Sequence, residues 1–208
     1  MKCLNHSSCI SAFIEYTNSV NSYWQIRSGS AEERASACKS AGYFVELSNT
    51  FTNFVQNKTN DGQVISWLDS LSLMRRVAIR LYEEQLKNIN VITEYVIPYA
   101  NNKRPDYLMC FKNTVLLIEF GHYTSYDIKL AQAMQYQVLL AKHFNKIINI
   151  VPYVFIYNVE YDHENKERES LVAKNQNHIE ELVSLINKLY FQDTSAIEEV
   201  IRLDFDRI

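Results

Sequence analysis

From Ser66 onward the chain moves between two hydrophobic rhythms. Trp67, Leu71, Met74, Ala78 and Leu81 recur at steps of four and three behind a serine able to cap a helix, which predicts a helix from Ser66 to about Lys87. Val91 to Tyr99 is rich in Val, Ile, Thr and Tyr and runs into Ala100-Asn101-Asn102-Lys103, the composition of a strand followed by a turn. A second strand, Asp106 to Phe111, follows Pro105, and the short Lys112-Asn113 link leads into a third, Thr114 to Phe120. These two should pair as an antiparallel hairpin, with Gly121 ending the run. Ile128 to Phe144 returns to helical spacing, with Leu130, Met134, Val138 and Ala141 on one side. Val151 to Tyr157 is then nearly all apolar, as expected of a strand buried inside a sheet.

The flanks are less regular. Helical hints lie around Ala31 to Lys39 and Tyr43 to Phe54, separated by polar clusters such as Ser28-Gly29-Ser30. Residues 159 to 169 are highly charged and precede an amphipathic helix, about Ser170 to Tyr190, carrying Leu171, Ile179, Leu182, Val183, Leu185 and Ile186. That helix reads as a cover for the sheet more than as a partner-binding face, and Ala196 to Ile208 as one more helix or a terminal strand. The pattern predicts an α/β chain in three parts: a mainly helical extension over 1–65, a core over 66–158 in the order α-β-β-β-α-β, and a helical extension over 159–208 packed on the core.

With 208 residues the chain can bury one substantial core, and 4 Gly and 3 Pro argue against long loops. A net charge of −3 gives no overall attraction to phosphates, so a nucleic-acid partner would need a local basic patch or a bound metal. No segment approaches the run of about 18 apolar residues that a membrane span needs. A cytoplasmic protein without membrane contact is expected. The cysteines Cys3, Cys9, Cys38 and Cys110 are scattered, which does not suggest a disulfide framework. Cys3, His6 and Cys9 have a spacing that suits zinc but lack a fourth ligand, and a frayed terminus is the preferred reading.

The chemistry concentrates in the hairpin. Arg104-Pro105-Asp106 opens one strand, and Glu119 lies near the end of its partner, directly after Val115-Leu116-Leu117-Ile118. A charge seldom interrupts such an apolar run without a partner. Two carboxylates side by side on neighbouring strands make an oxygen-rich site suited to Mg²⁺ or Mn²⁺. A cation there can polarise a phosphodiester and activate water. The competing reading is a pair of solvated strand-end acids.

Taken together, Ile97-Pro98-Tyr99 to Arg104-Pro105-Asp106, Leu116-Leu117-Ile118-Glu119-Phe120 and Gln132-Ala133-Met134-Gln135-Tyr136 resemble the PD-(D/E)XK nuclease superfamily. The last piece looks like the Q-x-x-x-Y helix of its RecB-like and Cas4-like branches. Ser66-Trp67 through Pro98 and Lys103 to Asp106 are also similar to the nuclease-like region that precedes some Schlafen-type ATP-binding domains, although no G-x-x-x-x-G-K-[ST] phosphate loop is present. The resemblance implies a restriction-endonuclease-like core and metal-dependent phosphodiester hydrolysis, on DNA more than RNA, in a setting such as bacterial defence. It implies Asp106 and Glu119 as metal ligands, with the Phe120 carbonyl as a further oxygen. Gln132 and Tyr136, one helical turn apart, would position substrate or water. A helix acid, Glu83 or Glu84, is a weaker candidate.

One position departs from the family pattern. The lysine expected two residues after the glutamate is Gly121, which supplies neither charge nor donor. Lys129, three residues before Gln132 on the same helix face, is the best replacement. His122 is a secondary candidate, since strand alternation points it away from Glu119 and Gly121. Lys103 and Arg104 are candidate phosphate contacts. The alternative from another class is a catalytically silent protein that keeps the nuclease fold and binds nucleic acid or a protein partner. A homodimer, or a subunit whose missing cation comes from a partner, completes the expectations.

Overall fold

In the computed structural model the described residues are 8–18, 33, 36–37, 61–122, 126–144, 148–157 and 165–192. Cys3 and His6 of the candidate zinc set, most of the two N-terminal helical hints and the tail from Ala196 lie outside them, and Cys9 is a half-buried free thiol. Among the described residues the sheet has five strands: β1 (Ser8–Cys9), β2 (Asn90–Thr93), β3 (Tyr107–Cys110), β4 (Thr114–His122) and β5 (Asn149–Tyr157). They lie in the order β1-β2-β3-β4-β5. Neighbours are antiparallel as far as β4, whereas β5 runs parallel to β4, so the sheet is mixed and open. The helices are α1 (Ile10–Tyr16), α2 (Asp61–Ala78), α3 (Glu83–Asn88), α4 (Tyr126–His143) and α5 (Asn165–Gln192). The class is α/β.

Strand alternation divides the core in two. Val91, Tyr107, Met109, Leu116, Ile118, Phe120 and Phe155 face one way, and α1, α2 and α5 cover them. Ile92, Leu108, Cys110, Val115, Leu117, Ile150, Val154 and Ile156 face the other way, beneath α4. The two-residue link at Lys112-Asn113 closes the β3–β4 hairpin, with the Phe111 N–H donating to the Thr114 carbonyl at 2.8 Å. A parallel pair needs a crossover, and α4 supplies it between β4 and β5. The C-terminal α5 buries Ile179, Leu182 and Ile186 in the first layer.

Four sequence expectations are corrected. The helix expected over Ser66–Lys87 is two helices, because Tyr82 is extended (φ −68°, ψ 151°) and restarts the chain as α3, its N–H donating to Gln85 Oε1 at 2.9 Å. The strand expected over Val91–Tyr99 stops at Thr93, because Glu94 takes φ 52°, which no strand accommodates. Gly121 does not end β4, which continues through His122 in register with β5. On α4 the buried face is Ala133, Tyr136 and Leu140, while Met134 and Val138 are each 53% exposed. The apolar stripe chosen from spacing is thus rotated around the helix, since aromatic Tyr136 and small Ala133 carry the packing. No helix among the described residues is long and apolar enough to cross a membrane.

Candidate active site

Register brings the two hairpin acids together. Tyr107 pairs with Ile118 across β3 and β4, and one step outward Asp106 stands opposite Glu119. Asp106 shares the parity of Leu108 and Cys110, and Glu119 that of Val115 and Leu117, so both acids lie on the α4 face. The link is a reciprocal clasp. The Asp106 N–H donates to Glu119 Oε1 at 3.2 Å, and the Phe120 N–H donates to Asp106 Oδ2 at 2.8 Å. Phe120, expected to lend its carbonyl, orients Asp106 through its amide. Its ring lies on the opposite face, against Phe155 and Tyr107.

Lys129 reaches down from the first turns of α4. Its Nζ donates to Glu119 Oε2 at 3.2 Å and lies 3.8 Å from Asp106 Oδ2. The Glu119 side chain is completely buried, whereas Asp106 is 26% exposed. Solvent thus reaches the first acid and not the second. One turn further along α4, Gln132 Nε2 donates to Tyr136 OH at 2.7 Å, which fixes the phenol and leaves its own proton to donate.

A third acid, Glu94, was not picked out by sequence reasoning. Its side chain is buried where β2 breaks off, and Trp67 Nε1 of α2 donates to its Oε1 at 3.0 Å. Its backbone N–H donates to the Asp106 carbonyl at 3.1 Å. Arg104 Nη1 lies 3.3 Å from Glu94 Oε2, an ion pair in which that N–H is left without a well-aligned hydrogen bond. A positive φ on a non-glycine residue beside a cleft is strain of the kind that gathers at functional sites. The one trace of it in the sequence is a charge amid the Val, Ile, Thr and Tyr of 91–97, a weaker contrast than Glu119 makes with Val115-Leu116-Leu117-Ile118.

These groups meet in a cleft of about 360 Å³ at the end of the sheet where its two covering layers part. Ser66, Trp67 and Ser70 of α2 line one side, Gln132 and Tyr136 of α4 the other, with Glu94, Arg104 and Asp106 between them. Glu119 and Lys129 lie behind this lining. Burial raises the Asp106 pKa, opposed by Lys129, the Phe120 N–H and Arg104. Burial and then the Asp106 charge lift Glu119 to about 8. The same two causes lift Glu94 to about 7, against the pull of Arg104 and Trp67. Burial works against the Lys129 ammonium, but Asp106 and Glu119 outweigh it and hold its pKa above the ordinary lysine value.

No family model, curated protein or solved structure matches the chain.

Among the remaining candidates, Glu83 and Glu84 are exposed on α3, away from the cleft, and Glu83 pairs with Lys87 at 3.1 Å. Lys103 lines the cleft beside Arg104. The His122 side chain lies outside the described residues. Cys110 is a buried core thiol pushed up to about 12 by burial, which leaves it inert. Among the described residues no group of three or more His, Cys, Asp or Glu is placed to hold a metal ion. Asp106 and Glu119 are hard oxygen donors, and burial is the largest cause of their raised proton affinity.

Proposed function

We propose that the protein is a divalent-metal-dependent nuclease with a restriction-endonuclease-like core, hydrolysing phosphodiester bonds, in DNA more than in RNA. One observation carries the reading: the Lys129 ammonium sits with both hairpin acids, at 3.2 Å from Glu119 and 3.8 Å from Asp106. It is the positive charge that Gly121 cannot give, delivered from the helix instead of the strand. Asp106 and Glu119, with the Phe120 carbonyl, would hold the cation. When bound, Mg²⁺ or Mn²⁺ supplies Lewis-acid polarisation of the phosphate and makes water a better nucleophile at neutral pH.

The chain's own groups divide the rest of the work. The Lys129 ammonium opposes the negative charge that develops on the phosphate. The Tyr136 hydroxyl, held by Gln132, donates its proton toward a phosphate oxygen, and Arg104 offers guanidinium N–H groups on the cleft wall. Glu119 is sealed from solvent, so its charged form is costly there unless a cation stands beside it. Purified protein should cut DNA in Mg²⁺ or Mn²⁺, and Asp106→Ala and Glu119→Ala should each abolish the cut. Undiminished activity in both variants would sink the assignment.

A second reading has its own support. Lys129 already pairs with both acids internally, and among the described residues no group of three or more His, Cys, Asp or Glu is placed to hold a metal ion. On that reading the protein is a silent relative that binds nucleic acid or a protein partner. It predicts a stable complex and no turnover with any divalent metal, so a metal-dependent cut that needs Asp106 eliminates it.

A further inference from the structure

Resting on the nuclease reading, the next question is which form of nucleic acid the cleft admits. Its volume of about 360 Å³ equals a cube about 7 Å on edge, near the low end of ordinary ligand pockets. A B-DNA duplex is broader than its own major groove of about 12 Å, so it cannot enter the cleft whole and presents at most one backbone to its mouth. The walls suit a single base and its phosphate. Trp67 and Tyr136 bring aromatic side chains from opposite layers, Asn101 and Asn102 bring amides able to read a base edge, and Arg104 brings a cation next to Asp106.

The loop between β2 and β3 adds a feature outside the cleft. Tyr99 is fully exposed, two residues before Asn101. It is not a loose tip. The Ile97 N–H donates to the Lys103 carbonyl at 2.9 Å, the Lys103 N–H donates to the Ala100 carbonyl at 3.1 Å, and Ile97 and Ala100 are buried in the core under α4. Tyr99, Asn101 and Asn102 all take left-handed backbone, φ 59°, 52° and 58°. Asparagine tolerates that region, but tyrosine pays strain to stay there. A hydrogen-bonded loop, anchored by buried Ile97 and Ala100, thus holds a large ring in water, and its following residues Asn101 and Asn102 line the cleft.

We propose that the cleft seats one unpaired nucleotide and that Tyr99 stacks on the neighbouring base of the same strand, making the protein selective for single-stranded or locally unpaired nucleic acid. Stacking on an aromatic ring is tolerant of sequence, because every base has a flat face. Lys103 and Arg104 would hold the connecting phosphate over Asp106.

The test is binding of the full chain, in EDTA, to a short single strand carrying 2-aminopurine and to the same strand annealed to its complement. The single strand should bind at least roughly tenfold more tightly, with its fluorescence quenched by stacking. Tyr99→Ala should weaken single-strand binding roughly five- to hundredfold and remove the quench, while Tyr99→Phe restores both. An exposed residue can be changed without unfolding the chain, and circular dichroism checks this. Equal or tighter duplex binding, or an alanine variant that binds and quenches like wild type, overturns the proposal. The two readings fail separately: Asp106-dependent cutting of duplex without any Tyr99 effect removes this inference and keeps the nuclease. Tyr99-dependent single-strand binding with no cleavage does the reverse.

Discussion

Glu119→Gln should make the protein more stable than the native sequence at alkaline pH. The Glu119 side chain has no exposed surface, and burial followed by the Asp106 charge lifts its pKa from 4.5 to about 8. A folded-state value above the unfolded one means that the folded chain binds this proton more tightly. The contribution of Glu119 to stability is therefore highest below pH 4.5, falls as pH rises toward about 8, and is flat beyond. At about 1.4 kcal/mol per tenfold change, the full interval is worth roughly 5 kcal/mol. Substitution recovers less than that. Glu94 and Asp106, whose pKa values are also raised, keep part of the slope, and glutamine leaves Lys129 with Asp106 alone at 3.8 Å. A gain of about 2–4 kcal/mol over wild type is expected on going from about pH 5 to about pH 9. Urea unfolding at fixed pH in EDTA measures it. Parallel curves for the two proteins would refute the argument, because they would show that Glu119 carries no desolvated charge in the fold.

Lys129→Met removes the cation that faces both acids, and the single-turnover cleavage rate should drop by about a hundredfold or more, with Lys129→Arg recovering part of it. A methionine variant that cuts at the native rate would show that the ammonium plays no part in the reaction. Divalent metal should stabilise the native chain by mass action, about 2.7 kcal/mol at a hundredfold excess over Kd, or roughly 5–10 °C in thermal midpoint. Asp106→Ala should show no such rise. A wild-type midpoint unmoved by Mg²⁺ and Mn²⁺ favours the silent reading.

The hairpin was legible because local rules fix it. A two-residue link sets the register of β3 on β4, and register alone puts Asp106 opposite Glu119. The position of Lys129 was legible for a similar reason, since helical spacing ties it to Gln132 and Tyr136 on one side of α4. Glu94 was hidden by its neighbours. Val, Ile, Thr and Tyr on both sides spell a strand, and the break comes from a left-handed backbone at one residue that carries no glycine signal. The α4 burial face was misjudged because spacing ranks Met134 and Val138 above Tyr136, whereas packing against β4 and β5 selects Ala133, Tyr136 and Leu140. Propensity supplies the element, and the partner surface decides which side is buried.

Gly121 and Lys129 are then two aspects of one arrangement. Gly121 shares the parity of Glu119, so a lysine there would face α4, the helix whose first turns already bring an ammonium to the acids. Two such cations in a space with little water would repel strongly, whereas a single ammonium is shared by both acids, and on the nuclease reading a divalent metal would join them. Ala133 and Leu140 pack α4 tightly on the sheet and so fix the height from which Lys129 descends. The side chain that would otherwise project from the strand is supplied from the layer above, and the glycine leaves that face of β4 free of a competing group.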